Sequence, residues 1–246
     1  MEIEFVDDKE LMFWSSIFNL NRTDSEKMGY EFEQVLSEYT VSEVTKKIIK
    51  EGVFSASTEK INTAPELQKI KEINWNAWLK YWEKTHTTMD SIRSAIQKNA
   101  ESFNFDSLAP VEKFFGYAIP KRIRLILCPG STTLFGKGNV DFRYSKDVVL
   151  LFPRNYQNFS EETIFKDFAV LIHELIHFTQ KNIYFKEDRN FIEAVTRVFA
   201  PKGIIISSGP MPENSPESRM RPIIKKAMAN RQTYAHIRTE LQQEMK

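Results

Sequence analysis

Glycine is scarce in this chain, at 8 of 246 residues. Turn-rich all-β folds lean on glycine for left-handed turns and close backbone approaches, so the scarcity favours helix. The effect is plainest after Pro65. Proline suits the first turn of a helix. The shortage of breakers beyond it lets a long helix run to about Lys84, or on to Ser102 with a break near His86 to Thr88. Upstream, residues 8–20 carry bulky apolar groups at mixed helical spacing. Asn21 to Ser25 reads as a turn followed by a second helix, and Ser42 can accept from the exposed N–H groups that open a third.

The middle changes character. Pro120 to Cys128 reads as a strand ended by Pro129 and Gly130, and Gly136 and Gly138 mark a loop. Asn139 to Tyr144 and Val148 to Phe152 read as the arms of a β-hairpin. The second arm is apolar throughout, as in a strand covered on both faces. Ser160 then caps a helix reaching about Gln180, and Asn190 starts another that stops before Pro201. Residues 203–216 form a loop. A last helical region follows from about Pro216, with Pro222 as the point where it can kink.

Charge and cysteine narrow the function classes. Basic and acidic residues number 34 and 33, a net charge of +1, so no field steers this chain to nucleic acid or to a membrane. The small basic clusters at Lys121, Arg122 and Arg124, and at Lys225 and Lys226, read as solvated faces. The N-terminus MEIEFVDDKE is acidic where a signal peptide is basic. The apolar run Leu11 to Leu20 is interrupted by Ser15, Ser16 and Asn19 and is too short to span a bilayer. The single Cys128 excludes an intrachain disulfide and fits a reducing compartment. The expectation is a cytoplasmic protein with no nucleic-acid and no membrane partner. Trp75, Trp78 and Trp82 form a stripe at helical spacing that reads as core, as do Phe114, Phe115 and Tyr117.

Chemistry concentrates in the helix expected over residues 161–180. It contains His173-Glu174-Leu175-Ile176-His177, and two histidines four apart stand one turn apart on one face. Both imidazoles can reach one metal ion, and Glu174 beside His173 can reach a water on that metal. This is the H-E-x-x-H pattern of zinc peptidases. Glu193 follows on the next expected helix, after enough chain to finish the first helix and turn. Two histidines and a glutamate make a three-ligand site with an open fourth position.

On these residues the segment from about 122 to 200 resembles the gluzincin branch of zinc metallopeptidases, the thermolysin-like and aminopeptidase-like clan. The resemblance implies one Zn2+ per chain held by His173, His177 and Glu193, with Glu174 as general base on a metal-activated water, and a peptide or protein substrate. It implies an α+β fold: a helical N-terminal region, residues 1–108, beside a zincin-like catalytic domain, residues 109–246. That domain would carry a small mixed, mostly antiparallel sheet and the two ligand helices. A developing oxyanion needs a further donor. Tyr234 and His236 are candidates because related enzymes place a Tyr or His in that region, and Arg197 is a third because it shares a face with Glu193. Arg197 stands where some gluzincins carry a metal-orienting aspartate, so support for the ligand histidines has to come from elsewhere. The hairpin arm Asn139 to Tyr144, or the segment Thr132 to Phe135, is the expected edge for an extended peptide. Two other readings stay open: a zinc protein without peptidase activity, and a helical interaction module carrying the motif by chance.

Overall fold

Four strands form one sheet in the order β1-β2-β4-β3: β1 (Glu2–Phe5), β2 (Arg122–Leu127), β3 (Phe135–Gly138) and β4 (Val148–Phe152). The computed structural model describes residues 1–20, 42–128, 135–138, 147–152, 160–183 and 186–245. β1 pairs with β2 and β2 with β4 in parallel, while β3 runs antiparallel to β4 at the edge. The rest of the described chain is mostly helical: α1 (Lys9–Leu20), α2 (Glu43–Ser55), α3 (Glu59–Asn62), α4 (Pro65–Ser102), α5 (Ala109–Phe115), α6 (Glu161–Thr179), α7 (Arg189–Phe199), α8 (Pro216–Ala229) and α9 (Tyr234–Gln243). A short 3-10 turn, Phe105–Leu108, precedes α5.

This architecture overturns the expected zincin-like core with a mostly antiparallel sheet. Two of the three strand pairings, β1 with β2 and β2 with β4, are parallel, and only β3 is antiparallel. The physical reason lies in burial. Ile123, Leu125 and Leu127 of β2 and Val149 and Leu151 of β4 face one apolar cluster. Ile126, Cys128, Val148 and Leu150 face another on the opposite side. Strands covered on both faces by helices are the setting in which parallel pairing occurs. Of the expected hairpin, the second arm, Val148 to Phe152, forms β4. The first arm, Asn139 to Tyr144, lies outside the described residues, and the antiparallel partner of β4 is Phe135–Gly138, the stretch whose two glycines suggested a loop. β1, which nothing in the sequence marked as a strand, adds an N-terminal segment to the sheet.

The helices follow their end signals closely. Ser42 Oγ accepts from Thr45 N–H (3.2 Å) and Ser160 Oγ from Thr163 N–H (3.2 Å). Pro65 opens α4, which runs unbroken through His86 to Ser102. The turn at Asn21 to Ser25 and the helix expected after it lie outside the described residues. The C-terminal helical region is two helices, α8 and α9, and Pro222 lies inside α8.

α4 joins the two sides of the sheet. Its 38 residues span about 57 Å at 1.5 Å per residue. Leu67, Ile70 and Trp78 pack in the layer with α1 and α2, whereas Met89, Ile92 and Ile96 pack in the layer with α6 to α9. The tryptophan stripe is core packing at its centre: Trp78 is fully buried, with its ring 6.0 Å from Phe13. Arg124, on the α1–α2 side, grips Asp147 with two hydrogen bonds (3.0 and 2.8 Å) and donates to the Ser55 carbonyl (3.0 Å), tying β2 to the start of β4 and the end of α2. Among the described residues no helix is long and apolar enough to cross a membrane.

Candidate metal centre

α6 starts in solvent and ends inside the protein. Its cap Ser160 and the acidic Glu161 and Glu162 suit the positive end of the helix dipole. Every residue from Leu171 to Gln180 is buried. The helix packs among α4, α5, α7, β3 and β4. His173, Glu174 and His177 therefore sit in the water-poor part of the helix, at 7%, 6% and 2% exposure. α7 is fixed by Asp188, whose Oδ1 accepts from the N–H groups of Asn190 (2.8 Å) and Phe191 (3.2 Å). Phe191, Ile192, Ala194, Val195, Val198 and Phe199 bury its apolar face. That leaves Glu193 at the border facing α6.

The three side chains converge. His173 Nε2 lies 3.1 Å from His177 Nε2 and 3.2 Å from Glu193 Oε2, and His177 Nε2 lies 3.6 Å from Glu193 Oε1. Tetrahedral bonds of about 2.0–2.1 Å give ligand–ligand edges of about 3.3 Å. The spacing of these donors is close to that, and the group can hold a metal ion.

The charges are coupled. Burial pulls the His173 pKa down, but the hydrogen bond it donates to Glu193 and the charges of Glu174 and Glu193 outweigh it, and the net shift is upward. For His177, burial and then the neighbouring His173 charge hold the pKa at about 4. Burial alone would raise Glu193; the His173 hydrogen bond, the two imidazole charges and Arg197 bring it to about 2. The upward shift of His173 and the downward shift of His177 favour His173 as the imidazole that takes up an extra proton, against Glu193 and the Nε2 lone pair of His177. A metal ion would take the place of that proton.

Both imidazoles are braced from behind. His173 Nδ1 lies 2.8 Å from the Ala200 carbonyl, which can only accept, so Nδ1 carries a hydrogen. His177 Nδ1 lies 2.7 Å from Gln180 Oε1, and Gln180 Nε2 donates to Thr196 Oγ1 (2.7 Å). Gln180, Thr196 and Ala200 are the participants that motif reading missed. The first two stand three residues after His177 and Glu193, a spacing that places them on the ligand faces, but a polar residue at a helix end or on a half-buried face is too common to single out.

The oxyanion candidates separate. Arg197 donates from Nη1 to Glu217 Oε1 (3.2 Å), and its charge reaches Glu193. Tyr234 is 4% exposed, and its ring lies against Phe114, Phe115 and Phe191. Burial and the Glu187 charge push its hydroxyl pKa up. His236 is exposed, and its Nδ1 accepts from the Thr233 N–H (3.1 Å), closing the first turn of α9. Among the described residues, neither has a hydrogen bond or ring contact to His173, His177 or Glu193. Glu187 and Asp188, the other carboxylates near α7, are engaged with Arg238 and with the α7 cap.

Comparison with protein-family models, with curated proteins and with solved structures finds no match to this chain.

Proposed function

We propose that the chain is a zinc-dependent hydrolase of peptide bonds, with His173, His177 and Glu193 holding the metal and Glu174 acting as general base. The observation that carries this reading is the convergence of two imidazole nitrogens and one carboxylate, with Glu174 on the same buried helical turn. Two neutral histidines and a carboxylate are a ligand set suited to Zn2+ with a fourth position for reactants. When bound, zinc supplies Lewis acidity toward a water and a carbonyl oxygen.

The chain's own residues do the rest. Glu174 is buried, follows His173 on the helix, and its charge acts on that imidazole. It takes the proton of the attacking water and returns it to the leaving nitrogen. Arg197 is the oxyanion candidate whose charge already acts on the site. It receives the developing negative charge or a substrate carboxylate. β3 packs against α6 and stands at the edge of the sheet order, where an extended peptide can pair with it as a further strand.

The test is cleavage of a peptide library by zinc-loaded protein, read by mass spectrometry, with Glu174→Gln alongside. Loss of the base lowers cleavage by about 10²–10⁴-fold at equal zinc content. Cleavage that is absent in the zinc-loaded protein, or indifferent to Glu174→Gln, would overturn the reading.

A further inference from the structure

The geometry points to Thr196 and Gln180 as a directional relay that selects the ligand tautomer of His177. The inference rests on the metal-centre reading above. A neutral imidazole offers a lone pair on one nitrogen and a hydrogen on the other. His177 serves as a ligand through Nε2 only if Nδ1 holds the hydrogen. What stands against Nδ1 is an amide, and an amide has two faces. Gln180 presents Oε1 to Nδ1 at 2.7 Å, which requires the hydrogen there. Turned over, it would present NH2, and the hydrogen would move to Nε2 and block the metal.

Thr196 decides which way the amide points. Its Oγ1 donates to the Ile192 carbonyl at 2.8 Å, and that carbonyl can only accept. Oγ1 also lies 3.1 Å from Gln180 Oε1, but the hydroxyl has one proton and the Ile192 contact is the shorter. The Thr196 lone pairs are left for Gln180, and Nε2 fills that role at 2.7 Å. The order then runs from the Ile192 carbonyl through the Thr196 hydroxyl and the Gln180 amide to His177 Nδ1–H and a bare Nε2. Gln180 and Thr196 are 1% and 0% exposed, so no bulk water competes for these bonds. α7 thus supplies one ligand, Glu193, and, one turn along, a positioning residue for a ligand on α6.

Outer partners of metal-bound histidines are worth about 10–100-fold in metal affinity. Thr196→Val keeps the side-chain shape, removes the lone pairs and frees the amide to turn. Zinc affinity, measured by chelator competition, is expected to fall within that range. Thr196→Ser restores the hydroxyl and the affinity. The decisive variant is the pair Q180E/T196V. A carboxylate has no donor face, so it holds the Nδ1 hydrogen without help from residue 196. The double variant is expected to recover most of the affinity that Thr196→Val loses. Nitrogen-15 spectra of histidine in the zinc-free protein read the same switch directly: Nδ1–H in wild type and Q180E/T196V, mixed with Nε2–H in Thr196→Val. Thr196→Val binding zinc as tightly as wild type, or its loss left unrepaired by Q180E, would overturn the relay while leaving the metal centre standing. Wild-type protein that takes up no zinc would remove both.

Discussion

His173 and His177 occupy neighbouring turns in the buried half of one helix, and their pKa values shift in opposite directions. Burial lowers both, the hydrogen bond to Glu193 and the nearby carboxylate charges turn His173 upward, and the His173 charge adds to the lowering of His177. The consequence for stability can be worked through by sign. A His177 pKa of about 4, below the ordinary 6.5, means the unfolded chain binds more protons across that interval. The metal-free fold then loses stability as pH falls from about 6.5 toward 4. Glu193, at about 2 against 4.5, adds a loss over the lower window. The raised His173 acts oppositely: its contribution is complete below 6.5 and is lost as pH rises through its folded value. Denaturant midpoints of the metal-free protein should therefore peak near pH 6.5 as far as this trio contributes. Zinc affinity should instead rise with pH through the His173 titration, because the ion displaces that proton. Calorimetry in buffers of different ionisation enthalpy should show proton release on zinc binding at pH 6.5. Binding without proton release would contradict His173 as the site of that proton. The juxtaposition of His173 and His177 was legible because histidines four apart must share a helix face. Gln180 and Thr196 were not, since their role depends on which way an amide points and on how α7 lies against α6. Tyr234 and His236 have suitable chemistry in an expected region, but packing uses one in a core of aromatic rings and the other in a helix cap.

At the scale of elements, α6 is set by its ends as much as by its apolar face. Ser160→Ala removes the N-cap acceptor and is expected to cost about 1 kcal/mol in a denaturant titration, with zinc stoichiometry unchanged because the ligands lie more than three turns away. Helix ends like this one were readable because cap residues and prolines act locally. Strand direction was not. The alternating burial of Ile123, Leu125 and Leu127 against Ile126 and Cys128 identifies two covered faces, but the pattern is the same whichever way the neighbour runs. The β3 segment Phe-Gly-Lys-Gly carries two glycines in four residues, which lowers strand propensity. Its pairing with β4 is decided by tertiary structure.

On the scale of the whole molecule, the sheet separates two apolar layers and α4 spans both. β2 is the shared wall, with Leu125 facing the ligand-helix layer and Ile126 facing the α1–α2 layer, each fully buried. Leu125→Ala should cost about 2–5 kcal/mol through lost burial and a residual cavity, seen as a lower urea midpoint. Ile126→Ala should cost a similar amount from the other side. If Ile126→Ala were silent, the α1–α2 layer would not be packed on the sheet. The N-terminal segment was expected to be purely helical; β1 joins it to β2 by parallel pairing from Glu2 to Phe5. An acidic four-residue edge strand leaves little trace in a sequence, because only its sheet neighbour gives it meaning.

The most direct test of the central claim is the metal content of the purified chain by elemental analysis after zinc reconstitution, compared with His173→Ala. About one zinc per chain is expected in wild type, and almost none in the variant, with both proteins folded by circular dichroism. Zinc uptake that is absent, or equal with and without His173, would contradict a metal centre at His173, His177 and Glu193.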